Sequence, residues 1–253
     1  RCVRATGYGR RMDLGIAGRR AAVAAGSSGL GLGSAKALAA EGVHVAICGR
    51  DETKLRAAAV AVGHGCIPIV ADVSTVDGAA GFVDAACVAL GGVDILIPNA
   101  GGPPPGNFAS TPVDVYQAAL DLNLLSIVAM CKAAVPAMQQ QRWGRVVAIT
   151  SLSVRQPMPQ LILSNTARAG ATAFLKTLAS EVAEDGVTVN TVQPGVHSTP
   201  RLDALYSPDQ MDQMRMGNAD HFGAHVAFLC SEQGTFTNGV QLQIDGGAYA
   251  GLL

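Results

Sequence analysis

Two hydroxyl side chains and one guanidinium are spaced in this chain so that they can stabilise negative charge on a reacting oxygen. Ser151 follows an apolar run at residues 146–150, which predicts a buried strand. Ser164 lies thirteen residues later, and Arg168 four residues beyond it. Residues four apart on a helix share one face, so Ser164 and Arg168 are expected to point into the same cleft. Both can donate hydrogen bonds to a developing oxyanion.

A glycine-rich turn near the start of the chain is suited to binding a diphosphate. It joins an apolar strand pattern to a helical pattern, where backbone N–H groups and the positive end of the helix favour a phosphate. A glycine pattern alone is weak evidence, because glycines at a strand end often serve only the turn. The residues predicted to contact the ligand here are Gly26, Ser27, Ser28, Gly29, Leu30 and Gly31.

Three further short motifs follow the third, fourth and sixth predicted strands. They are Ala-Asp-Val at 71–73, Asn-Ala-Gly at 99–101 and Pro-Gly-Val-His-Ser-Thr at 194–199. With the glycine turn and the Ser151 segment, they make the chain resemble the short-chain dehydrogenase/reductase family. The resemblance covers about residues 13–250, and the overall pattern is similar to that of the 3-oxoacyl-carrier-protein reductases.

The resemblance implies a role for each motif in binding a nicotinamide dinucleotide. Asp72 and Val73 would contact the adenine, and Asn99, Ala100 and Gly101 the cofactor ribose. The nicotinamide amide would contact the last motif, through Pro194, Gly195, Val196 and Thr199.

The same resemblance assigns the catalytic positions and exposes a departure from the family. The family has a Ser and, thirteen residues later, Tyr-x-x-x-Lys; here Ser164 replaces the Tyr and Arg168 the Lys. Ser151 matches the substrate-orienting Ser, and Asn123 matches a helix Asn that holds a water. A helix-packing amide is the alternative role for Asn123. A serine hydroxyl is far less acidic than a phenol, so the general acid is missing.

The end of the second predicted strand favours NADP over NAD. An NAD site has a carboxylate there for the ribose 2′-hydroxyl, whereas an Arg suits a 2′-phosphate. Gly49 takes the carboxylate position and Arg50 follows it. Ser27 or Ser28 would be a second phosphate contact. The alternative is that Arg50 is a solvated charge beside Asp51.

Three groups can replace the missing acid: a water near Asn123, the phenol of Tyr206, or the imidazole of His197, which titrates near neutrality. A loop-surface role is the alternative for Tyr206 and His197. Arg155, four residues after Ser151, could join Arg168 in a cationic pocket for an anionic or carrier-bound substrate. Arg168 could instead pair with an internal acid.

Composition restricts the class of protein. Of 253 residues, 49% are hydrophobic and 15% charged, with a net charge near −1, which gives no signature of nucleic-acid or anionic-membrane binding. The apolar stretches are interrupted by Asp94, Pro98, Asp121 and Lys132, so no membrane span is expected. His221 and His225 lack a third ligand, so no metal site is expected. The six cysteines show no paired spacing, which favours reduced thiols and a cytoplasmic protein. They are Cys2, Cys48, Cys66, Cys87, Cys131 and Cys230.

Strand and helix patterns alternate along the chain, which predicts an α/β fold with a parallel sheet. The predicted strands are 19–25, 43–48, 66–70, 93–98, 145–150, 187–192 and 240–244. They form one doubly wound Rossmann domain over residues 12–253. A helix at 112–138 would begin at Thr111 as N-cap and be kinked or ended by Pro136. This helix and one at 160–184 are rich in Ala, Leu and Met, and their family counterparts form a dimer interface, so a homotetramer is expected.

Two segments of the chain each have two alternative interpretations. Residues 1–11 are Arg-rich and either belong to a targeting segment or are an extension outside the fold; the second is favoured because Met12-Asp13 is a natural start. The Gly-Pro-Pro-Pro-Gly segment at 102–106 is either a stiff loop at the rim of the cleft or a rigid surface turn.

Two functions follow. The first is an NADP(H)-dependent oxidoreductase that reduces a carbonyl, of a 3-oxoacyl compound or related ketone, to an alcohol. The second is a dinucleotide-binding protein of the same fold with little or no redox turnover, acting as a scaffold, a sensor or an enzyme of another reaction class. Turnover of bound cofactor separates them, whereas binding does not.

Overall fold

A single parallel sheet of seven strands forms the centre of the molecule. The computed structural model describes residues 12–202 and 206–252; the predicted extension at 1–11 and Cys2 lie outside these residues. The strand order is β3-β2-β1-β4-β5-β6-β7, which confirms the predicted doubly wound Rossmann fold. The strands are β1 Arg20–Val23, β2 His44–Gly49, β3 Ile67–Val70, β4 Ile95–Ile97, β5 Gly144–Ile149, β6 Val187–Pro194 and β7 Gln241–Ile244.

Of the eight α-helical segments in the described residues, six cover the two faces of the sheet. Side chains alternate along each strand, so Ala22 of β1 packs into one core cluster and Val23 into the other. Helices α3, α5 and α6 cover the first face, and α1, α2 and α8 the second. The helices are α1 Gly29–Ala40, α2 Glu52–Val62, α3 Val76–Leu90, α4 Tyr116–Leu120, α5 Ser126–Gln140, α6 Ile162–Glu181, α7 Pro208–Met211 and α8 Ala219–Cys230.

The helical run between β4 and β5 differs from its prediction at both ends. Thr111 is not its N-cap: Pro112 is extended (φ −63°, ψ 155°) and precedes a 3-10 turn at Val113–Val115. Pro136 does not end the helix, because α5 continues to Gln140. Between α4 and α5 lies a π-helical turn, Asp121–Leu125. This turn carries the candidate catalytic residue Asn123.

The same run, Val113–Gln140, is long and apolar enough to cross a membrane by length and composition alone. The sequence-based expectation rested on charges that interrupt the apolar stretches, and Asp121 and Lys132 do lie within this run. Half of its most apolar window is buried inside the protein, where α5 packs in the first core cluster. Burial of this kind is also found in the core helices of water-soluble proteins, so the segment is weak evidence for a membrane span.

Candidate active site

A cavity of about 410 Å³ lies at the carboxyl ends of β1, β4, β5 and β6, where ligands bind in open α/β sheets. Ser151, Ser164 and Arg168 line it together with the glycine-rich turn. Backbone segments from the four strand ends complete the wall: residues 28–30, 99–102, 149–152 and 194–197. Three of the four predicted catalytic residues and part of the predicted dinucleotide site thus share one cavity, and Asn123 does not line it.

The glycine-rich turn is shaped so that a ligand can approach its backbone. Gly31 lies against the turn: a Cβ added there would be 2.4 Å from the Ala25 carbonyl oxygen. Gly29 has a left-handed backbone (φ 55°), and so does Ala25 (φ 46°). Ser28 is the N-cap of α1, but its side chain makes no capping hydrogen bond. The Ser28 hydroxyl and the first N–H groups of α1 are therefore free to bind an anion.

The motifs after β4 and β6 form the neighbouring walls. Asn99 donates from Nδ2 to the Ala24 carbonyl at 3.3 Å, which joins the end of β4 to the glycine turn. Thr199 faces this turn from the other side: its Cγ2 would lie 3.3 Å from a Cβ on Gly29. All of the residues predicted in these two motifs line the cavity: Asn99, Ala100, Gly101, Pro194, Gly195, Val196 and Thr199.

The predicted adenine residues Asp72 and Val73 lie outside the cavity after β3, and so do Arg50 after β2 and Ser27, whereas Ser28 lines it. A Cβ on Gly49 would be 3.0 Å from the Ser27 hydroxyl oxygen, so a carboxylate side chain would crowd Ser27. Arg50 is exposed, and Asp51 caps α2 and pairs with Lys54 instead. Hydrogen bonds from Ser74 hold the pKa of Asp72 below its ordinary value, and the positive charge of Arg50 contributes.

Arg168 joins α6 to the ends of two strands. Its Nη1 donates to the carbonyls of Ile149 at 3.0 Å and Thr150 at 3.2 Å, and its Nη2 donates to Ala100 at 3.3 Å. No acidic side chain pairs with Arg168 among the described residues, so the structure does not support the alternative of an internal ion pair. Burial lowers the pKa of Arg168 to about 10, with a smaller effect of the Arg201 charge, so it stays protonated at neutral pH.

Ser164 and Asn123 take up different positions around this arginine. Ser164 lines the cavity, is only 7% exposed, and makes no side-chain hydrogen bond within the described residues. Asn123 is fully buried in the π-helical turn and donates from Nδ2 to the Gly101 carbonyl at 2.9 Å. Its Oδ1 is buried without a donor among the described residues. Asn123 thus supports the backbone at the end of β4 from behind the cavity.

Comparison with known proteins identifies the family. A family model described as enoyl-(acyl carrier protein) reductase matches residues 24–249. Dehydrogenase/reductase SDR family member 4 of Bos taurus is 30% identical over 99% of this chain and 96% of its own length. The chain belongs to the short-chain dehydrogenase/reductase family.

Two other similar proteins differ in their coenzymes. The 2-dehydro-3-deoxy-L-rhamnonate dehydrogenase (NAD(+)) of a Sphingomonas strain is 32% identical over 91% of this chain and 95% of its own length. The solved structure of L-sorbose reductase from Gluconobacter frateurii, complexed with NADPH and L-sorbose, superposes with a TM-score of 0.88. It is 28% identical and covers 95% of this chain and all of that one.

The substrate side of this short-chain dehydrogenase/reductase differs from the prediction. Arg155 does not line the cavity; it is exposed, with its guanidinium carbon 5.9 Å from the centre of the Tyr249 ring. Arg201 lines the cavity instead, and sequence reasoning missed it. The available signal was its place two residues after Thr199, within the motif that follows β6. Sequence reasoning also missed several apolar and polar residues of this wall: Gln156, Met158, Leu161 and Leu202.

Tyr206 and His197 both line the cavity, as predicted of substrate-side residues. His197 is buried against Phe222, with ring centroids 5.2 Å apart, and its Nδ1 lies 3.2 Å from the Gly195 carbonyl. Burial lowers the pKa of His197, outweighing the hydrogen bond to Gly195. The imidazole is therefore neutral at pH 7. If Nδ1 carries the hydrogen in that contact, Nε2 is an acceptor.

The histidine pair on α8 is remote from this chemistry. His225 Nδ1 lies 2.9 Å from the His221 carbonyl, and both side chains are exposed. Across residues 12–202 and 206–252, no three His, Cys, Asp or Glu side chains are grouped to hold a metal ion.

Proposed function

We propose that this protein is an NADP(H)-dependent reductase that converts the carbonyl of a 3-oxoacyl compound or related ketone to an alcohol. The observation that carries the proposal is the single cavity shared by Ser28 and Gly29 of the phosphate-binding turn and by Ser151, Ser164 and Arg168. When bound, NADPH supplies a hydride to the carbonyl carbon. The L-sorbose reductase structure with NADPH supports NADP(H) as the coenzyme, whereas the relative named as an NAD(+) enzyme supports NAD.

Arg50 and Gly49 favour NADP. Arg50 forms no ion pair among the described residues, because Asp51 pairs with Lys54. Its guanidinium is thus available to a 2′-phosphate. The Ser27 hydroxyl, which lies against Gly49, offers a second donor at the same place.

Three groups of this chain act on the carbonyl oxygen in the proposed reaction. The hydroxyls of Ser151 and Ser164 donate hydrogen bonds to it as negative charge develops, and the Arg168 cation stabilises that charge in a largely buried site. For the proton itself, Tyr206 is favoured over His197, since the imidazole is neutral and its Nδ1 contacts the Gly195 carbonyl. A water near Asn123 is the remaining source.

A second candidate function is dinucleotide binding with little or no redox turnover. It is favoured by one observation: three of the five N–H groups of Arg168 are bound to backbone carbonyls, and Ser164 lacks the acidity of a phenol. For either function we also propose a cytoplasmic homotetramer. The five described cysteines, all free thiols, support the reducing compartment.

Oxidation of NADPH across a panel of ketones, followed by its absorbance, tests the proposed function. We expect turnover of at least one ketone and a loss of about 10²-fold in kcat for Ser151→Ala, because one oxyanion donor is removed. Arg155→Ala, at an exposed position outside the cavity, should behave as the parent protein. Tight NADPH binding with no oxidation by any ketone would establish the second function instead.

A further inference from the structure

The wall of the active-site cavity carries two arginines and no carboxylate among the residues that the structure describes. Arg168 is 7% exposed and Arg201 is half-buried. Neither forms an ion pair within residues 12–202 and 206–252. Burial lowers the pKa of both guanidinium groups, and the charge of Arg201 lowers that of Arg168 further. The two cations therefore stand close enough to repel each other, with no compensating anion from the described chain.

Arg201 is held in a fixed orientation at the rim of the cavity. Its Nη1 donates to the Gly102 carbonyl at 3.0 Å and its Nη2 to the Pro103 carbonyl at 2.9 Å. The guanidinium packs against Gly102, where an added Cβ would be 2.4 Å from Nη2. Two of its five N–H donors are used in this way, and the others remain available. A cation fixed before binding loses little conformational freedom when an anion arrives.

The same wall carries apolar side chains beside polar ones such as Gln156 and Tyr206. The apolar residues Met158 and Leu161 lie just before α6, and Leu202 follows Arg201. A ligand that satisfies both parts of the wall has a hydrocarbon body and one anionic group. A planar carboxylate matches the guanidinium fork.

We infer that Arg201 is a specificity-determining residue that selects oxo acids, carbonyl compounds bearing a carboxylate on an apolar body, as substrates of this site. The inference rests on the proposed reductase function. Arg201 binds the carboxylate, while Ser151, Ser164 and Arg168 address the carbonyl oxygen. The dinucleotide phosphates have their own sites at the glycine turn and Arg50.

The test compares benzoylformate with its neutral methyl ester. We expect the parent protein to prefer the acid by about tenfold or more in kcat/KM, since a charge-assisted hydrogen bond contributes this much. Arg201→Gln should lower kcat/KM for the acid by about ten- to a hundredfold and leave the ester within about twofold. Arg201→Lys, which keeps the charge, should retain part of the preference, and Arg155→Gln is the matched control.

Two outcomes of this kinetic test would overturn the inference. If Arg201→Gln lowers kcat/KM for the acid and for the ester together, Arg201 only supports the 102–103 loop. If it weakens NADPH binding instead, Arg201 belongs to the dinucleotide site.

A binding measurement separates failure of this inference from failure of the proposed function. Calorimetry with NADP⁺ present would compare mandelate with methyl mandelate, the two alcohol products. One result would be that no ketone is turned over, that mandelate binds more tightly than its ester, and that Arg201→Gln removes this difference in affinity. The reductase proposal would then fail, and the anion site would stand. If mandelate and its ester bind equally in parent and variant, or neither binds, the anion site is wrong.

Discussion

Arg168 does more in this structure than a lysine at the same position could do. Its planar fork reaches three carbonyls from the ends of β4 and β5 at once, whereas an ammonium is a compact charge on a flexible stem. The arginine thus fixes α6 against the strand ends while placing a positive charge in the cavity. Ser164, one turn earlier, keeps a hydroxyl free on the same wall.

Replacing Arg50 by Ala tests the coenzyme preference at the scale of one residue. We expect NADPH to bind at least about tenfold more tightly than NADH to the parent protein, because a charge-assisted contact to the 2′-phosphate is lost with NADH. Arg50→Ala should remove this difference by weakening NADPH alone. Titration of cofactor fluorescence measures both affinities. Arg56→Ala, at an arginine paired with Glu52 on α2, is the control; equal affinities for the two cofactors in the parent would refute the preference.

Individual site residues could be predicted only where a motif carries them. Ser151, Ser164 and Arg168 follow from spacing, and the structure brings them together. Arg201 could not be found in this way, because it enters the site only when the chain after β6 packs on the loop after β4. Arg155 shows the converse: it follows the 3-10 turn Leu152–Val154 with its side chain exposed, although Leu152 and Gln156 line the cavity, so spacing from Ser151 was misleading.

At the scale of elements, apolar periodicity predicted the strands well and the helix ends less well. All seven strands overlap their predicted ranges, although β7 alternates Gln with Leu and Ile instead of forming a continuous apolar run. Strand β6 continues beyond its prediction to Pro194, since Gln193 and Pro194 still pair with β7. The π-helical turn at Asn123 has no glycine or proline to signal it, so the sequence pattern indicated an uninterrupted helix.

The crossing of α1 and α8 depends on two glycines, and this gives an element-scale prediction. A Cβ on Gly223 would lie 2.1 Å from the Gly33 carbonyl oxygen, so α8 would have to move away from α1. We expect Gly223→Ala to reduce the free energy of unfolding by about 1–3 kcal/mol. Gly81→Ala on α3, where nothing lies within 4 Å, should raise it by about 0.5–1 kcal/mol. Denaturant titration of both variants is the measurement, and equal shifts would disprove the close packing.

At the scale of the whole molecule, the site is assembled from segments far apart in the chain. The phosphate-binding turn, the end of β4, the start of α6 and the loop after β6 meet only when the sheet is complete. The fold class and the edge of the sheet that binds ligand could be predicted because parallel sheets place their ligand sites at the carboxyl ends. The balance of charge in the cavity could not be predicted from the sequence, since it depends on which arginines the loops bring into the cavity.

Association of whole chains gives a further prediction. Large apolar side chains, including Phe108, Val113 and Phe236, are exposed on the described single chain. Together with the Ala-rich helices α5 and α6, they provide surface for a symmetric assembly. We expect light scattering at micromolar concentration to give the mass of a tetramer. A monomeric mass under the same conditions would refute the assembly.

The central claim is that Ser164 and Arg168 occupy the catalytic positions of the family in space as well as in sequence. The most direct test is kcat on one reducible ketone for the parent protein, Ser164→Tyr, and Ser164→Tyr with Arg168→Lys. A phenol beside an ammonium should restore proton transfer, so we expect the double variant to gain about ten- to a thousandfold and the single variant less. A parent protein already as fast as the double variant, or a double variant that is slower, would contradict the claim.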